Sequence, residues 1–578
     1  MLQKRLIRLS PLALILLATL NGCSTEVAAP TQGLAVAIKG PLANSPFDKP
    51  EAAFVALVAE GPDLKADALQ VVKPYAPGLP LTLPEVPYGY ARQLRVELYA
   101  KGVNGQPALP VVGRGRTVPK DVLLGKTFLV NAYVTCTNAF AAAITNVKTE
   151  TATDGRVGAA IVATADEGVL IAGGADPVAG KTDPHDPASW GNFKTTVLRY
   201  DTDLRQLFNL SAEPFNASLS TGRAFMAAAR GSAGTIVLSG GYVDLGAGPV
   251  PSNLMEYFDA TSSKIKASNA GMAHLEFARA HHTVTRMFDD DNYFMVIGGK
   301  GTASQASRTW EIWHPTHGRI TIGELSGPRW NHAAVRLPEK DGGYMMLIGG
   351  ENENGPIDNF EVIRYDRFGH VAYKDNPKVT CCLGTNCHSD DKSTETCAAL
   401  KGQPGYSEFA WKPILRDLAG KVARTMPAAA YVHNGAPRYN LVYIVGGFAD
   451  AKKTQPLTRV DVFNIETGQW IESTSPLLAP RGAPILGWST AGAQRGQVIV
   501  TGGLDANGKT IATGELLSYD PAGGKVLREW SKNELPGGGM VFGQAASLST
   551  GHVFIAGGAS SDGTSLKAST TIRLYNPK

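Results

Sequence analysis

Short apolar runs in which alternate positions are hydrophobic follow one another along this chain, and clusters of Gly, Pro, Asn and Asp separate them. A period of two predicts β-strands that bury one face, and the intervening residues predict tight turns. Between Leu34 and Thr135 the runs include "AAFVALVAEG", "RQLRVELYAKG" and "KTFLVNAYVT". Residues 34–135 are therefore predicted to form a small β-sandwich.

A different pattern begins at Arg156, where apolar runs end in a pair of glycines, as in "YMMLIGGENENG". The pairs recur at intervals of about 50 to 70 residues, with one longer interval. They are Gly173 and Gly174, Gly240 and Gly241, Gly298 and Gly299, Gly349 and Gly350, Gly446 and Gly447, Gly502 and Gly503, and Gly557 and Gly558. Repeats of this length built from short strands predict a β-propeller of seven blades.

Two further positions repeat with the glycine pairs. Downstream of each pair an aromatic residue closes an apolar run, at Tyr200, Tyr257, Trp313, Tyr365, Phe463, Tyr519 and Tyr575. Upstream of six pairs an arginine precedes a strand of small residues, at Arg156, Arg223, Arg279, Arg329, Arg424 and Arg481. Three linked features that repeat together indicate equivalent structural units.

The combination resembles the kelch repeat, in which Arg or His-Ala enters strand one, Gly-Gly ends strand two, and an aromatic-Asp/Asn turn ends strand three. Trp470 and Trp530 match the tryptophan often found in strand four of that repeat. The resemblance spans Arg156 to Lys578 and implies a seven-bladed kelch-type β-propeller. The glycines are then turn residues that tolerate positive φ, because no helical pattern follows them to form a phosphate cradle.

The seventh repeat departs from the pattern, since Met540 or Val541 occupies the arginine position. Its sequence "IRLYNPK" ends after the predicted third strand, and an open blade would expose an unpaired edge. We expect residues 140–150 to supply the missing strand of a propeller domain that spans residues 136–578.

The N-terminus carries a targeting signal. Lys4, Arg5 and Arg8 precede the apolar run "PLALILLATL", and "LNGCST" follows it. Leu20 to Cys23 resembles the lipobox of bacterial lipoproteins, which implies a signal peptide over residues 1–22 and a lipid on Cys23; an ordinary secretory leader is the alternative. Residues 23–33 would form a lipidated tether, and Ser24 favours the outer membrane, on the periplasmic or the outer side.

Charge excludes one class of partner. The formal net charge is +4, and about +1 remains once the leader is removed, so no nucleic-acid partner is expected. We also expect no metal and no other cofactor, because no open ligand set stands out.

The six repeated arginines have two interpretations. We expect them to lie at equivalent places near one end of the central channel. In some kelch proteins arginines at this position hold acidic peptides, so they are candidate ligand-binding residues. Alternatively each guanidinium bonds carbonyl groups of its own blade or the next one, which is the role we favour.

Between the fourth and fifth repeats lies a Cys-rich insertion, residues 371–422, with Cys381, Cys382, Cys387 and Cys397. In an oxidising compartment we expect two disulfides, with Cys381 and Cys382 paired to Cys387 and Cys397; a metal site with His388 is the alternative. Cys136 is then left over, unless it joins the loop. Such a loop would be able to contact a partner.

Five histidines, His281, His282, His314, His317 and His332, fall in the third and fourth repeats. His332 matches the usual strand-one histidine of the kelch repeat and is expected to be structural. The other four could line a copper site, because the galactose-oxidase-like enzymes also join a β-sandwich to a seven-bladed kelch propeller. Those oxidases need a Cys cross-linked to a Tyr, and no cysteine lies within the first four repeats. The run "FDDDNYF" predicts a turn between strands one and two rather than a calcium loop.

The sequence thus predicts an all-β protein: an immunoglobulin-like or carbohydrate-binding-like sandwich, then the propeller. We expect a lipid-anchored envelope protein that binds a protein or a glycan through propeller loops, with no catalytic residue identified. The alternatives are a sugar-acting enzyme, similar to those oxidases or to the kelch sialic-acid mutarotases, and a structural part of an adhesion or motility assembly.

Overall fold

The computed structural model describes residues 33–577. Excepted are residues 42–44, 65–69, 77–85, 124–126, 144–154, 268–272, 303, 340–341, 359, 367–370, 374–378, 384–385, 391–405, 410–422, 434–439, 472, 491–495, 532–533, 536–538 and 571. The described residues are β-strands and turns, with short 3-10 helices at Pro46–Asp48, Pro187–Ser189 and Ser232–Gly234. No helix among them is long and apolar enough to cross a membrane.

The chain divides into two compact units, the first of which extends to Ala141 and also takes in Ser549–Gly551. Its larger sheet contains Ala52–Glu60, Gln70–Pro74, Gly89–Lys101, Pro107–Arg116, Lys120–Val122 and Thr135–Cys136, and a parallel pair joins Gly33–Lys39 to Thr127–Tyr133. Both sheets contribute to one core, where Val36 and Val130 of the pair meet Leu57 and Val96 of the larger sheet. The assignment of this unit to a sandwich fold stays a prediction.

The second unit is a ring of seven sheets, each a blade. Blade one contains Ala160–Ala163, Gly168–Ala172, Val197–Asp201 and Gln206–Asn209. Blade two contains Ala227–Arg230, Ile236–Ser239, Met255–Asp259 and Lys264–Ala267. Blade three contains Thr283–Arg286, Phe294–Ile297, Thr309–His314 and Gly318–Glu324. Blade four contains Ala333–Glu339, Gly342–Ile348, Phe360–Asp366 and Val371–Tyr373. Blade five contains Ala428–His433, Asn440–Val445, Val460–Asn464 and Gln469–Trp470. The seven-bladed arrangement predicted from the repeats is confirmed.

Blades six and seven add strands to this plan. Blade six contains Ile485–Trp488, Val498–Thr501, Gly514–Asp520 and Lys525–Trp530, with Ser473–Thr474 parallel at its edge. Blade seven contains Val541–Ser547, Val553–Ser561 and Arg573–Asn576, with Leu566–Ala568 beside its second strand. The segment expected to complete this blade, residues 140–150, lies outside the described residues from 144 onward.

Apolar residues pack between neighbouring blades, which is why inner strands are rich in small side chains and second strands in Val, Ile and Leu. Between blades one and two, Leu170 and Ala172 contact Ile236 and Leu238. Further clusters of this kind join blades two to three, three to four, four to five and five to six.

One backbone hydrogen bond recurs at every junction between blades and closes the ring. The N–H of the second glycine of each pair donates to the carbonyl oxygen of the arginine in the next blade, for example Gly350 to Arg424 at 3.0 Å. At the end of the series Gly503 donates to Met540, and Gly558 returns to Arg156 in blade one at 3.0 Å. Met540 is therefore the structural equivalent of the arginines.

This junction requires glycine. Gly349 has a φ of 59°, and a Cβ atom there would lie 2.4 Å from the carbonyl oxygen of Arg424. Residues with a side chain rarely adopt that φ, and this approach leaves no room for one.

Three smaller hairpins and one inserted sheet extend from the blades. The hairpins pair Asp176–Pro177 with Trp190–Gly191, Tyr242–Asp244 with Pro249–Pro251, and Glu351–Asn352 with Gly355–Pro356. The insertion forms Val379–Leu383, Asn386–Asp390 and Tyr406–Phe409, in which the backbone of Cys382 pairs with that of Cys387. Cys397 lies outside the described residues, so the two predicted disulfides stay predictions.

Candidate functional site at one end of the propeller ring

The six repeated arginines are buried inside the blades, with at most 4% of each side chain exposed. Arg279 is typical: its Nη1 donates to the carbonyl oxygens of Gly298 at 2.8 Å and Thr309 at 3.2 Å, and its Nη2 donates to Thr309 Oγ1 and to the carboxylate of Glu311. The guanidinium group thus ties the glycine turn to the third strand of the same blade. A ligand would have to displace these bonds to reach it.

The same arrangement recurs around the ring. The carboxylate partners of Arg223, Arg279, Arg329, Arg424 and Arg481 are Glu256, Glu311, Glu361, Asp461 and Glu515, and Arg156 donates instead to Gly173 and Thr196. Burial lowers the pKa of five of the guanidinium groups, from Arg223 to Arg481, and the paired carboxylates act in the opposite direction. This geometry supports the structural interpretation of the arginines.

The residues two positions after the arginines, or after Met540 in blade seven, form a first ring of equivalent positions around the propeller. They are Gly158, Phe225, His281, Asn331, Met426, Ala483 and Phe542, and all have positive φ between 48° and 64°. Backbone hydrogen bonds join neighbours, from Phe225 to Gly158, from Asn331 to His281 and from Met426 to Asn331.

A second ring of equivalent positions lies beside the first. The residue after each glycine pair forms a β-bridge or strand pair with the residue after each arginine, which places Ala175, Tyr242, Lys300, Glu351, Phe448, Leu504 and Ala559 at equivalent positions. We call these two rings together the mouth.

Blades five, six, seven and one fill their part of the mouth with apolar side chains. Phe448, Leu504 and Val541 form one buried cluster, against which Met426, Ala483 and Phe542 pack. The loop that follows the first glycine pair crosses this region, because its His185 lies edge-on to Phe448 at 5.5 Å and to Phe542 at 5.8 Å, measured between ring centroids. Trp190 of the same loop is buried beside Phe225 and Phe542.

Blades two to four carry polar and aromatic residues at the equivalent positions. Together with two neighbouring residues that contact them, these define the polar sector: Tyr242, His281, Lys300, Trp330, Asn331, Glu351 and Lys453. Glu351 is buried and accepts a hydrogen bond from Asn331 Nδ2 at 2.8 Å. Its carboxylate also forms an ion pair with Lys453 Nζ at 3.1 Å. The Nζ of Lys300 lies 5.6 Å from the ring centroid of Trp330. All members except Tyr242 and Glu351 keep part of their surface accessible.

Two groups of the polar sector are electrically neutral near pH 7. Burial lowers the pKa of His281 to about 3, and the ammonium groups of Lys300 and Lys453 act in the same direction. Burial raises the pKa of the Tyr242 hydroxyl, assisted by the carboxylate of Asp186. Neutral His281 can therefore accept a hydrogen bond, and the Tyr242 hydroxyl can donate one.

The other histidines singled out in the sequence do not join His281. His282 and His332 are buried between blades, where their Nε2 atoms meet Ser239 Oγ at 2.9 Å and Thr283 Oγ1 at 3.0 Å. His314 and His317 stack on each other at 4.6 Å beside the turn between strands three and four of blade three. Within the described part of the chain, no group of three His, Cys, Asp or Glu side chains could hold a metal ion.

Sequence reasoning named His281 but missed the rest of the polar sector. The signal was present, because Lys300 and Glu351 each follow a glycine pair directly and Asn331 lies two residues after a repeated arginine. The equivalent positions of the apolar blades carry Gly, Ala, Leu, Phe or Met, so the exceptions to the repeat were the useful feature.

The comparisons with known proteins concern the ring. A model of the kelch motif matches residues 438–476, which contain the second to fourth strands of blade five. The ring contains a kelch motif. The kelch-type propeller is also similar to the solved "Structure of YjhT", with 13% identity, a TM-score of 0.40, and coverage of 65% of this chain and 97% of that one. A search of curated proteins finds no match.

Proposed function

We propose that this protein is a lipid-anchored binding protein of the bacterial cell envelope, which recognises a glycan or a protein through the mouth of its propeller. The observation that carries the proposal is the polar sector. Each of the seven blades contributes equivalent positions to the two rings of the mouth. Blades five, six, seven and one carry only apolar residues at these positions. Where blades two to four depart from that pattern, they expose aromatic rings and hydrogen-bonding groups on a rigid scaffold, as binding sites commonly do.

The test compares capture of envelope components by the mature chain and by a variant with Trp330→Ala and His281→Asn. Asparagine tolerates the positive φ of position 281, so the backbone of the ring is retained. Trp530→Ala is the matched control, because Trp530 is 42% exposed on the outer strand of blade six, away from the mouth.

We expect the wild type and Trp530→Ala to retain the same glycans on a glycan array, or the same envelope proteins in a pull-down, and the double variant to lose them. Retention of the same set by a folded double variant would show that the mouth does not bind the ligand. A third variant without residues 379–409 measures what the inserted sheet contributes.

A further inference from the structure

Lys300 is the basic group of the polar sector whose charge is not matched by a carboxylate. Among the described residues it forms no ion pair, whereas the other lysine of the sector, Lys453, is paired with Glu351. The backbone of Lys300 is fixed on both sides, by bridges to Ala280 and Ala306. Its side chain lies over Trp330 and stays partly exposed.

The carboxylate of the polar sector is engaged elsewhere, because Glu351 accepts from Asn331 and Lys453. Glu353 accepts from the backbone N–H of Ala306, the residue that bridges to Lys300. A cation–π contact offsets only part of the solvation that a half-buried ammonium group loses. The site therefore presents an oriented positive charge to whatever enters it.

We propose that the polar sector binds the carboxylate of an acidic saccharide, with Lys300 as the group that neutralises its charge. This inference rests on the proposed function and specifies the ligand class. The accessible members of the polar sector supply the other contacts: neutral His281 bonds a sugar hydroxyl group, and Trp330 provides an aromatic surface beside the ammonium group. A saccharide fits better than a long peptide because the loop containing His185 and Trp190 occupies the apolar half of the mouth.

Preorganisation is the reason to expect affinity from a single lysine. A free lysine side chain loses considerable rotamer entropy when it binds, whereas that of Lys300 is already held against Trp330. A charge-assisted hydrogen bond to a carboxylate should then change affinity about tenfold or more.

The experiment measures binding of a galacturonate oligosaccharide and of its methyl ester, which has the same sugar ring without the charge. Four proteins are compared by calorimetry: the wild type, Lys300→Met, Lys300→Arg and the control Lys525→Met. Lys525 is exposed on the outer strand of blade six. Melting temperatures establish that each variant is folded.

We expect the wild type to bind the acid about tenfold or more tightly than the ester. Lys300→Met should remove that preference, while Lys300→Arg and Lys525→Met keep it. Equal affinity of the wild type for acid and ester would overturn the inference and leave the proposed function standing. Failure of both probes to bind would also overturn it, and the envelope capture with the Trp330 and His281 variant then judges the proposed function separately.

A synthetic Asp-rich peptide is measured in parallel. If it binds in a Lys300-dependent manner and the oligosaccharide does not, the ligand is an acidic peptide and the saccharide assignment is overturned.

Discussion

Replacement of Arg279 by Met tests the structural role of the repeated arginines, because this side chain and its partner Glu311 are both 0% exposed. The substitution removes the bonds to Gly298 and Thr309. Among the described residues, it leaves the carboxylate of Glu311 with only the backbone N–H of Glu276, at 2.9 Å. Breaking one side of a buried ion pair costs about 3 to 5 kcal/mol of unfolding free energy. For a unit of about 400 residues, at about 2.1 cal/mol/K per residue, the melting temperature should fall by about 4 to 6 °C.

The double variant Arg279→Met with Glu311→Leu should melt closer to the wild type, because no unpaired charge is left buried. Lys266→Met is the exposed control, since its pair with Asp259 lies at the surface, and its melting temperature should match that of the wild type. The assay is thermal unfolding followed by circular dichroism, with ligand affinity measured on the same samples. An Arg279→Met protein that melts with the wild type but no longer binds ligand would refute the reasoning and identify Arg279 as a ligand-binding residue.

Three other predictions follow from single contacts. Gly349→Ala should lower the unfolding free energy by more than about 1 kcal/mol relative to Gly508→Ala in chemical denaturation, because both glycines have positive φ but only Gly349 faces a backbone oxygen at 2.4 Å. The imidazole NMR signals of His281 should not titrate between about pH 5 and 8; its folded pKa of about 3 lies below the ordinary 6.5, so its contribution to stability is present above pH 6.5 and is lost as the pH falls toward 3. Cys23→Ser should abolish incorporation of labelled palmitate and release the protein from the membrane fraction, whereas label on the Ser variant would place the lipid elsewhere.

The architecture could be predicted from the sequence because the propeller repeats its constraints. Gly349 and Gly350 are needed for the same steric reason as the other pairs, and each aromatic residue ends an equivalent strand. The alignment of the seven repeats could therefore be read from seven independent copies. The first unit has no such repetition. Alternation identified its strands, but the parallel pairing of Gly33–Lys39 with Thr127–Tyr133 joins segments that are far apart in the chain and leaves no local signal.

The candidate site was harder to predict because its residues are brought together by the ring and not by the chain. Lys453 reaches Glu351 from the neighbouring blade, about 100 residues away, and neither residue type is unusual in a loop. The arginines were named as candidate ligand-binding residues because they repeat in six blades. In this ring the repeated residues hold each blade together, whereas the residues of the candidate site differ from blade to blade.

The residue that stabilises the blade internally and the residues that form the surface of the mouth are different positions, although they are consecutive in the chain. Arg329 fixes the blade from inside, while Trp330 and Asn331, its immediate successors, emerge at the mouth. A substitution at either of the two later positions changes the surface of the mouth without removing the buried bonds of the Arg329 guanidinium group. The ring-closing hydrogen bonds use only backbone atoms. Under the proposed function, a few point mutations at these positions would change the ligand preference while the blades, their order and their closure stay the same.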